Sequence, residues 1–356
     1  MQFPVRWFAV AVVLACLGAL GVGSASAVAR ECRPVVITER GDRPTRPSAA
    51  PLMPRVTIES PGHYCMDRDL HQDSLRDPLR GAPVFAREEA LVRIRSSGVT
   101  LDLGGHTVSN AMQHGMTMIW FSRFAVGESG GTRLLTARIA NGHLVSPGSS
   151  GVGIDLTASR PYGQRSLQPA PVPEGVRASD LFADTRHIVE SMTIAAGKRG
   201  IQLDGRDNII RNNLIIVDSP IAIVAQGPGI VIENNVIEVR NDLSQFSEQA
   251  KKVESRTPFP IRLIQADGAI VRNNRIRLVQ PAAHGPLPAA IELLQSADVL
   301  VESNQFEGVG SPVQADSDSS YREFNNQLAV CAPGAPRYLP PPEAGVAGGA
   351  GLAACR

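Results

Sequence analysis

Aromatic residues make up only 4% of this 356-residue chain, with two Trp and four Tyr. Platforms on which neutral sugar rings or nucleobases stack are therefore scarce, and Trp120, Tyr162 and Tyr321 are the ones placed to reach a surface. Surplus charge is lacking too. Lys and Arg number 35 against 34 Asp and Glu, with no basic stripe, which argues against nucleic acid as a partner. Cysteine is sparse at five, and no two stand in C-x-x-C spacing, which removes the usual ribbon-type metal site. Past the N-terminal stretch, no apolar run approaches the length of a membrane helix.

What the chain does have is repetition. From His187 to Leu328 one phrase recurs: a few β-branched residues, an Asn or Ser pair, more β-branched residues, then a turn. It reads IIRNNLIIVDSPIAIVAQ, IVIENNVIEV, AIVRNNRIRLV, VLVESNQFEGV and YREFNNQL. Asn213 to Asn235 is 22 residues, as is Asn304 to Asn326, and Ser191 to Asn213 fits the same period. The longer intervals, Asn235 to Asn274 and Asn274 to Asn304, each hold a polar or Pro-rich insertion. Such a period marks a repeat architecture in which each unit buries its apolar face against its neighbours.

One repeat accommodates three short strands and three turns. With Ile201 to Asp204, Ile209 to Arg211 and Leu214 to Val217 as strands, Asn212 and Asn213 fill the sharp turn between the second and third. Asn suits that turn because it tolerates left-handed backbone angles and bonds to nearby backbone. Stacked repeats would set successive Asn roughly 4.8 Å apart, close enough for an amide ladder.

This pattern resembles the right-handed parallel β-helix family, which includes pectate lyases, polygalacturonases, alginate epimerases and phage tailspikes. The resemblance covers Leu91 to Leu328, and GVTLDLGGHTVSN at Gly98 to Asn110 looks like the opening coil of such proteins. It implies an all-β, single-stranded, three-sheet solenoid of about eight coils with an N-terminal cap, on the order of 40 Å long. One fold hosts many functions, so the resemblance alone names no reaction.

Along the chain, residues 1–27 read as a secretory signal, with Arg6, an apolar run from Trp7 to Val22 and Ala25-Ser26-Ala27 for cleavage. Export, periplasmic or secreted, follows as the expectation. Lipid anchoring at Cys16 is disfavoured because the apolar segment continues past it. Without the signal four Cys remain, an even number that in an exported chain favours disulfides. Cys32 with Cys65 and Cys331 with Cys355 is the economical pairing of the three that four Cys allow. Residues 28–88 form an N-terminal segment in which Arg55 to Leu70 suits a cap, 89–330 the β-helix, and 331–356 a Pro/Gly/Ala-rich tail.

In the resembled family, polysaccharide sites lie over the first-strand sheet. Strand alternation with Ile201 and Leu203 inward gives an outward row of Asp155, Gln202, Ala222, Arg262, Glu292 and Gln314, with Arg93 in line. Lys198 and Arg199 sit in the turn just before Ile201, and insertions Thr157 to Arg186, Arg240 to Pro260 and Gln280 to Pro288 border the row. Loops walling a polar strip make a groove, the shape of a chain-polymer site.

The candidate catalytic set is Arg262, Arg199 and Lys198 as carboxylate clamps or base, with Asp155 and Glu292 as acid, base or calcium ligands. Candidates for holding substrate are Gln202, Gln314, Arg160, Tyr162 and His284, the last beside the groove. A lyase on uronic acids needs such groups, because the proton beside a carboxylate is acidic only once that carboxylate is neutralised. Against this, Arg262 and Glu292 lie on adjacent coils and can simply pair. The Asn-Thr-Asp, Asp-Asp, Gly-His-Gly and Asp-Pro-His-Asp motifs of the resembled enzymes are absent.

His106 and His143 each open a third strand and are expected to stack, and His187 reads as structural. Asp316-Ser317-Asp318 lacks the Gly and Glu of a calcium loop and reads as a turn. The expectation is therefore an exported β-helix protein acting on or binding an acidic polysaccharide, most concretely a β-eliminating lyase with calcium as a conceivable aid. The alternative is a non-catalytic carbohydrate-binding or structural β-helix.

Overall fold

A computed structural model of the chain describes residues 32–40, 53–72, 90–111, 116–121, 134–157, 169, 171–172, 174–176, 178–254, 258–279 and 287–329. The expected signal (1–27), the tail (331–356) and the Cys331–Cys355 pairing all fall outside those residues.

Nearly all the described secondary structure is β, in one 17-stranded and one 10-stranded sheet. Among the described residues, helix is confined to Glu248–Glu254 and the 3-10 turn at Ala178–Leu181. Apart from the antiparallel pairing of Ile37–Arg40 with Met53–Ile58, every named strand pairing is parallel. The result is a solenoid-like stack.

The smaller sheet shows how the β-branched residues build it. One in-register file runs Val56, Val92, Ile119, Ile154, Ile201, Ile223, Ile261, Ile291 and Val313, one residue per level. All are buried and belong to one continuous core. Period-two alternation sends these side chains inward and their neighbours outward, so a slip of one residue would expose the whole file. Each buried aliphatic side chain contributes roughly 1.5–3 kcal/mol.

The larger sheet contains the second and third strands of each level, which meet at the Asn turn. The first residue of each pair takes the left-handed conformation: Asn212, Asn234, Asn273, Ser303 and Asn325 have φ of 56°, 55°, 54°, 54° and 51°. The second residue points inward and forms the expected ladder. Asn213 Nδ2 donates to Asn235 Oδ1 at 2.9 Å, Asn235 to Asn274 at 3.0 Å, Asn274 to Asn304 at 3.0 Å and Asn304 to Asn326 at 3.1 Å. The backbone N–H of each of these donors reaches the same oxygen, for example Asn213 N to Asn235 Oδ1 at 3.0 Å. Every buried amide in this run is thus satisfied by the next level, the condition for keeping polar groups in a core.

Register corrects two expectations here. Glu190 pairs with Arg211 and Met192 lies level with Asn213, so Ser191 corresponds to Asn212 and the interval is one residue shorter than the sequence suggested. His143 pairs with Thr107 rather than stacking on His106, whose Nδ1 lies 3.3 Å from Asp69 instead. The earlier turn holds four residues, Leu103 to His106, where the later one holds two, Asn141 and Gly142, and the third strand resumes one residue after His106.

The expected N-terminal cap is itself a level of the stack. Met53–Ile58, Gly62–Cys65 and Leu70–Gln72 pair in parallel with Ala90–Ile94, Val99–Asp102 and Thr107–Asn110. What lies beyond it is the strand Arg33–Pro34 on Tyr64 and Cys65, fastened by the expected Cys32–Cys65 disulfide.

Outside the larger sheet, charges alternate level by level: Glu190, Arg211, Glu233, Arg272 and Glu302 stand in one register file. Arg211 Nη2 lies 2.6 Å from Glu190, Arg272 Nη2 lies 2.7 Å from Glu233, and Arg138 flanks Glu190 from the level before. Burial acts upward on the Glu190 carboxyl, but hydrogen bonds from Arg211 and Arg138 outweigh it and hold its pKa below the ordinary value. Opposite charges directly across a ladder favour this register over a slipped one.

Candidate functional site

The outer face of the ten-stranded sheet carries the row singled out from sequence. Register places Thr57, Arg93, Trp120, Asp155, Gln202, Val224, Arg262, Glu292 and Gln314 in one file. Seven of the residues expected there are thus found together or in adjoining turns: Arg93, Asp155, Gln202, Arg262, Glu292 and Gln314 in the file, and Arg199 in register with Val152 at its margin. Ala222 is displaced: the chain enters the strand two residues later than expected, so Val224 takes its place. Arg160, Tyr162 and His284 lie outside the described residues.

Trp120 was missed as a member. Carrying the two-residue alternation through Thr117–Phe121 would have found it, since Ile119 and Phe121 are inward. Arg93 sets its guanidinium carbon 5.7 Å from the Trp120 ring centre, within cation–π range.

The middle of this file is closed to solvent, which departs from the open groove expected. Trp120 is 8% exposed, Asp155 1%, Arg262 2% and Glu292 9%. Arg93 and Gln202 are half-buried, and Gln314 at the end is exposed. Val224 of the file joins Ile221 and Ile264 in an apolar cluster of their own, with Leu294 packed against it. The insertions carry buried aromatic residues as well, Phe182, Phe246 and Phe259. Sequence alternation tells which way a side chain leaves the sheet, but not whether an insertion then covers it.

Within the file, Arg262 Nε lies 2.6 Å from Glu292 Oε2 across one level. The oxygen sits off the N–H axis, so the contact is a close ion pair rather than a directed hydrogen bond. Burial pushes the Glu292 carboxyl above its ordinary pKa, Arg262 opposes this in part, and the Asp316 charge adds to it. Asp155 is turned back on its own loop, its Oδ1 accepting from Thr157 N at 3.0 Å and Thr157 Oγ1 at 2.5 Å. Lys198 is half-buried, and the backbone N–H groups of Lys198 and Arg199 both donate to the Gly151 carbonyl, at 2.8 and 3.1 Å.

These positions decide what the set can do together. Asp155 and Glu292 are separated by Gln202, Val224 and Arg262, a distance of about 19 Å at the usual strand spacing. They cannot share a calcium ion, whose ligands lie at roughly 2.3–2.6 Å. Nor does Asp155 reach the Arg262–Glu292 pair to act with it on one sugar. Among the described residues, no group of three His, Cys, Asp or Glu side chains comes together as a metal cage. Asp316 is a turn residue as expected, accepting from Gln295 N at 3.0 Å and Ser319 Oγ at 2.6 Å.

No family model, no curated protein and no solved structure matches this chain. No helix among the described residues is long and apolar enough to cross a membrane.

Proposed function

We propose that this is an exported right-handed parallel β-helix protein that binds an acidic polysaccharide along the outer face of its ten-stranded sheet, without cleaving it. The observation that carries the reading is the set of Arg93, Lys198 and Gln202, half-buried groups that keep some access to solvent beside the closed part of the polar file. Arg93, Lys198 and Gln202 supply accessible cationic and amide groups, and a sugar carboxylate is what guanidinium and ammonium groups recognise best. The Cys32–Cys65 disulfide supports an oxidising compartment.

Binding is favoured over turnover because the Arg262–Glu292 pair is engaged with itself and buried, as in the charge ladders of the opposite sheet. One observation keeps β-elimination as a second reading. Glu292 combines a raised pKa with an adjacent guanidinium, the pairing an acid–base residue and a carboxylate clamp would need.

Affinity electrophoresis of the mature chain on polygalacturonate, alginate and a neutral glucan, run beside an assay for unsaturated uronates, separates the readings. Retardation on an acidic glycan, weakened about tenfold or more by combined Arg93→Ala and Lys198→Ala and without new double bonds, is the expected result. Unsaturated products that disappear in Glu292→Gln would make it a lyase. Retardation on neither acidic glycan would overturn both readings.

A further inference from the structure

The stack ends on an unfinished layer. Its last level is Val313–Ala315, Tyr321–Phe324 and Gln327–Ala329. Register sets Tyr321 on Val299, Glu323 on Val301 and Leu328 on Phe306, positions that are 0–1% exposed core one level earlier. In the last level Tyr321 and Leu328 are each 40% exposed, Phe324 is 51% exposed, and Glu323 is exposed too. These strands pair on one side only among the described residues, leaving a row of backbone groups as a template.

Two features disfavour a second copy of the chain as the cover. Glu323 puts a carboxylate at a core-facing position, which obstructs the addition of another level. In addition, antiparallel pairing about a twofold axis brings residues of the same face opposite one another. Tyr321–Phe324 against its own copy therefore sets Arg322 on Arg322 or Glu323 on Glu323 in either register that pairs three of its four residues. Like charges directly opposite are destabilising.

The other end of the stack shows how this chain closes itself. There the strand Arg33–Pro34 lies on Tyr64 and Cys65, and Val35, 7% exposed, completes the core. The chain leaving Ala329 carries suitable material for the same task. Residues 330–356 include Val330, Tyr338, Leu339, Val346 and Leu352, with Arg337 available to a carboxylate. We propose that this C-terminal segment is the cover of the last level, its apolar residues meeting Tyr321 and Leu328 and a guanidinium meeting Glu323.

Hydrogen exchange on the full mature chain and on a chain ending at Ala329 tests this. The amides of Tyr321–Phe324 and Gln327–Ala329 are expected to exchange at least about tenfold more slowly in the full chain; equal rates would overturn the proposal. Should the shortened chain not remain folded, a photoreactive phenylalanine in place of Phe324 in the full chain decides the matter. An intramolecular cross-link to residues 330–356 supports the cover. Cross-linked dimers, or capture of other parts of the chain, refute it and give the surface to another occupant.

Discussion

Replacing His187 with Leu should flatten the acid sensitivity of this protein. His187 enters the second strand of its level, and its ring is fully buried with Phe121 at 5.1 Å between ring centres. Neither ring nitrogen has a hydrogen-bond partner among the described residues. Its backbone N–H is held by Asn208 Oδ1 at 2.8 Å, which fixes the strand entry that carries the ring. Loss of water around the charged form lowers its pKa from 6.5 to about 3.

A depressed folded-state pKa means that the unfolded chain binds the proton first. The stability tied to neutral His187 is therefore complete above 6.5 and is lost progressively as pH falls toward about 3. The slope is ~1.4 kcal/mol per pH unit, so that about 3 kcal/mol is gone by a pH of about 4.5 and ~5 kcal/mol in full. Urea unfolding at pH 7.5, 6, 5 and 4.5 would measure it, and comparison with His187→Leu cancels the other titrating groups. Leu also removes two unsatisfied polar atoms, so the variant should equal or exceed the parent near neutrality. If both proteins lose stability in parallel from pH 6.5 to 4.5, the buried neutral imidazole is not the source and the reasoning fails.

Three further outcomes follow from the same contacts. Asn235→Ala strands the Asn213 donors and the Ile210 carbonyl; it should cost about 3 kcal/mol in urea unfolding, against under about 1 kcal/mol for exposed Gln245→Ala. Glu292→Leu leaves the Arg262 charge buried without that carboxylate and should cost ~3 kcal/mol. Adding Arg262→Met should recover most of that loss, and a double-mutant cycle that shows no coupling would contradict a tight pair. Gly197→Ala would set a methyl 1.9 Å from the Gly148 carbonyl oxygen, backbone that cannot step aside; a melting temperature unchanged from the parent would mean the two turns are less closely packed than described.

The Asn pairs and β-branched runs made the stack legible before any coordinates, because each requirement is local and repeats. A left-handed turn wants Asn, a two-sided ladder wants β-branched residues, and the period between them counts levels. The outward row was legible for the same reason, since alternation along Ile201–Leu203 or Ile261–Leu263 leaves Gln202 and Arg262 no choice of face. Errors appeared where the count of residues in a turn changed. The third strand resumes at Thr107, one residue after His106, so His143 meets Thr107, and a late strand entry exchanged Ala222 for Val224.

The amino-acid sequence by itself thus determined the repeat, the core file, the Asn ladder and most of the polar row, all of which follow from short-range geometry. Only the tertiary structure decided that Met53–Gln72 is a level of the stack, since that depends on pairing with strands far along the chain. It also decided that Asp155, Arg262 and Glu292 are buried, and that Asp155 stands apart from the other two. Burial is set by what packs over the sheet in space, and distance along the stack by how many levels intervene. Neither is encoded in the two-residue alternation that points a side chain outward.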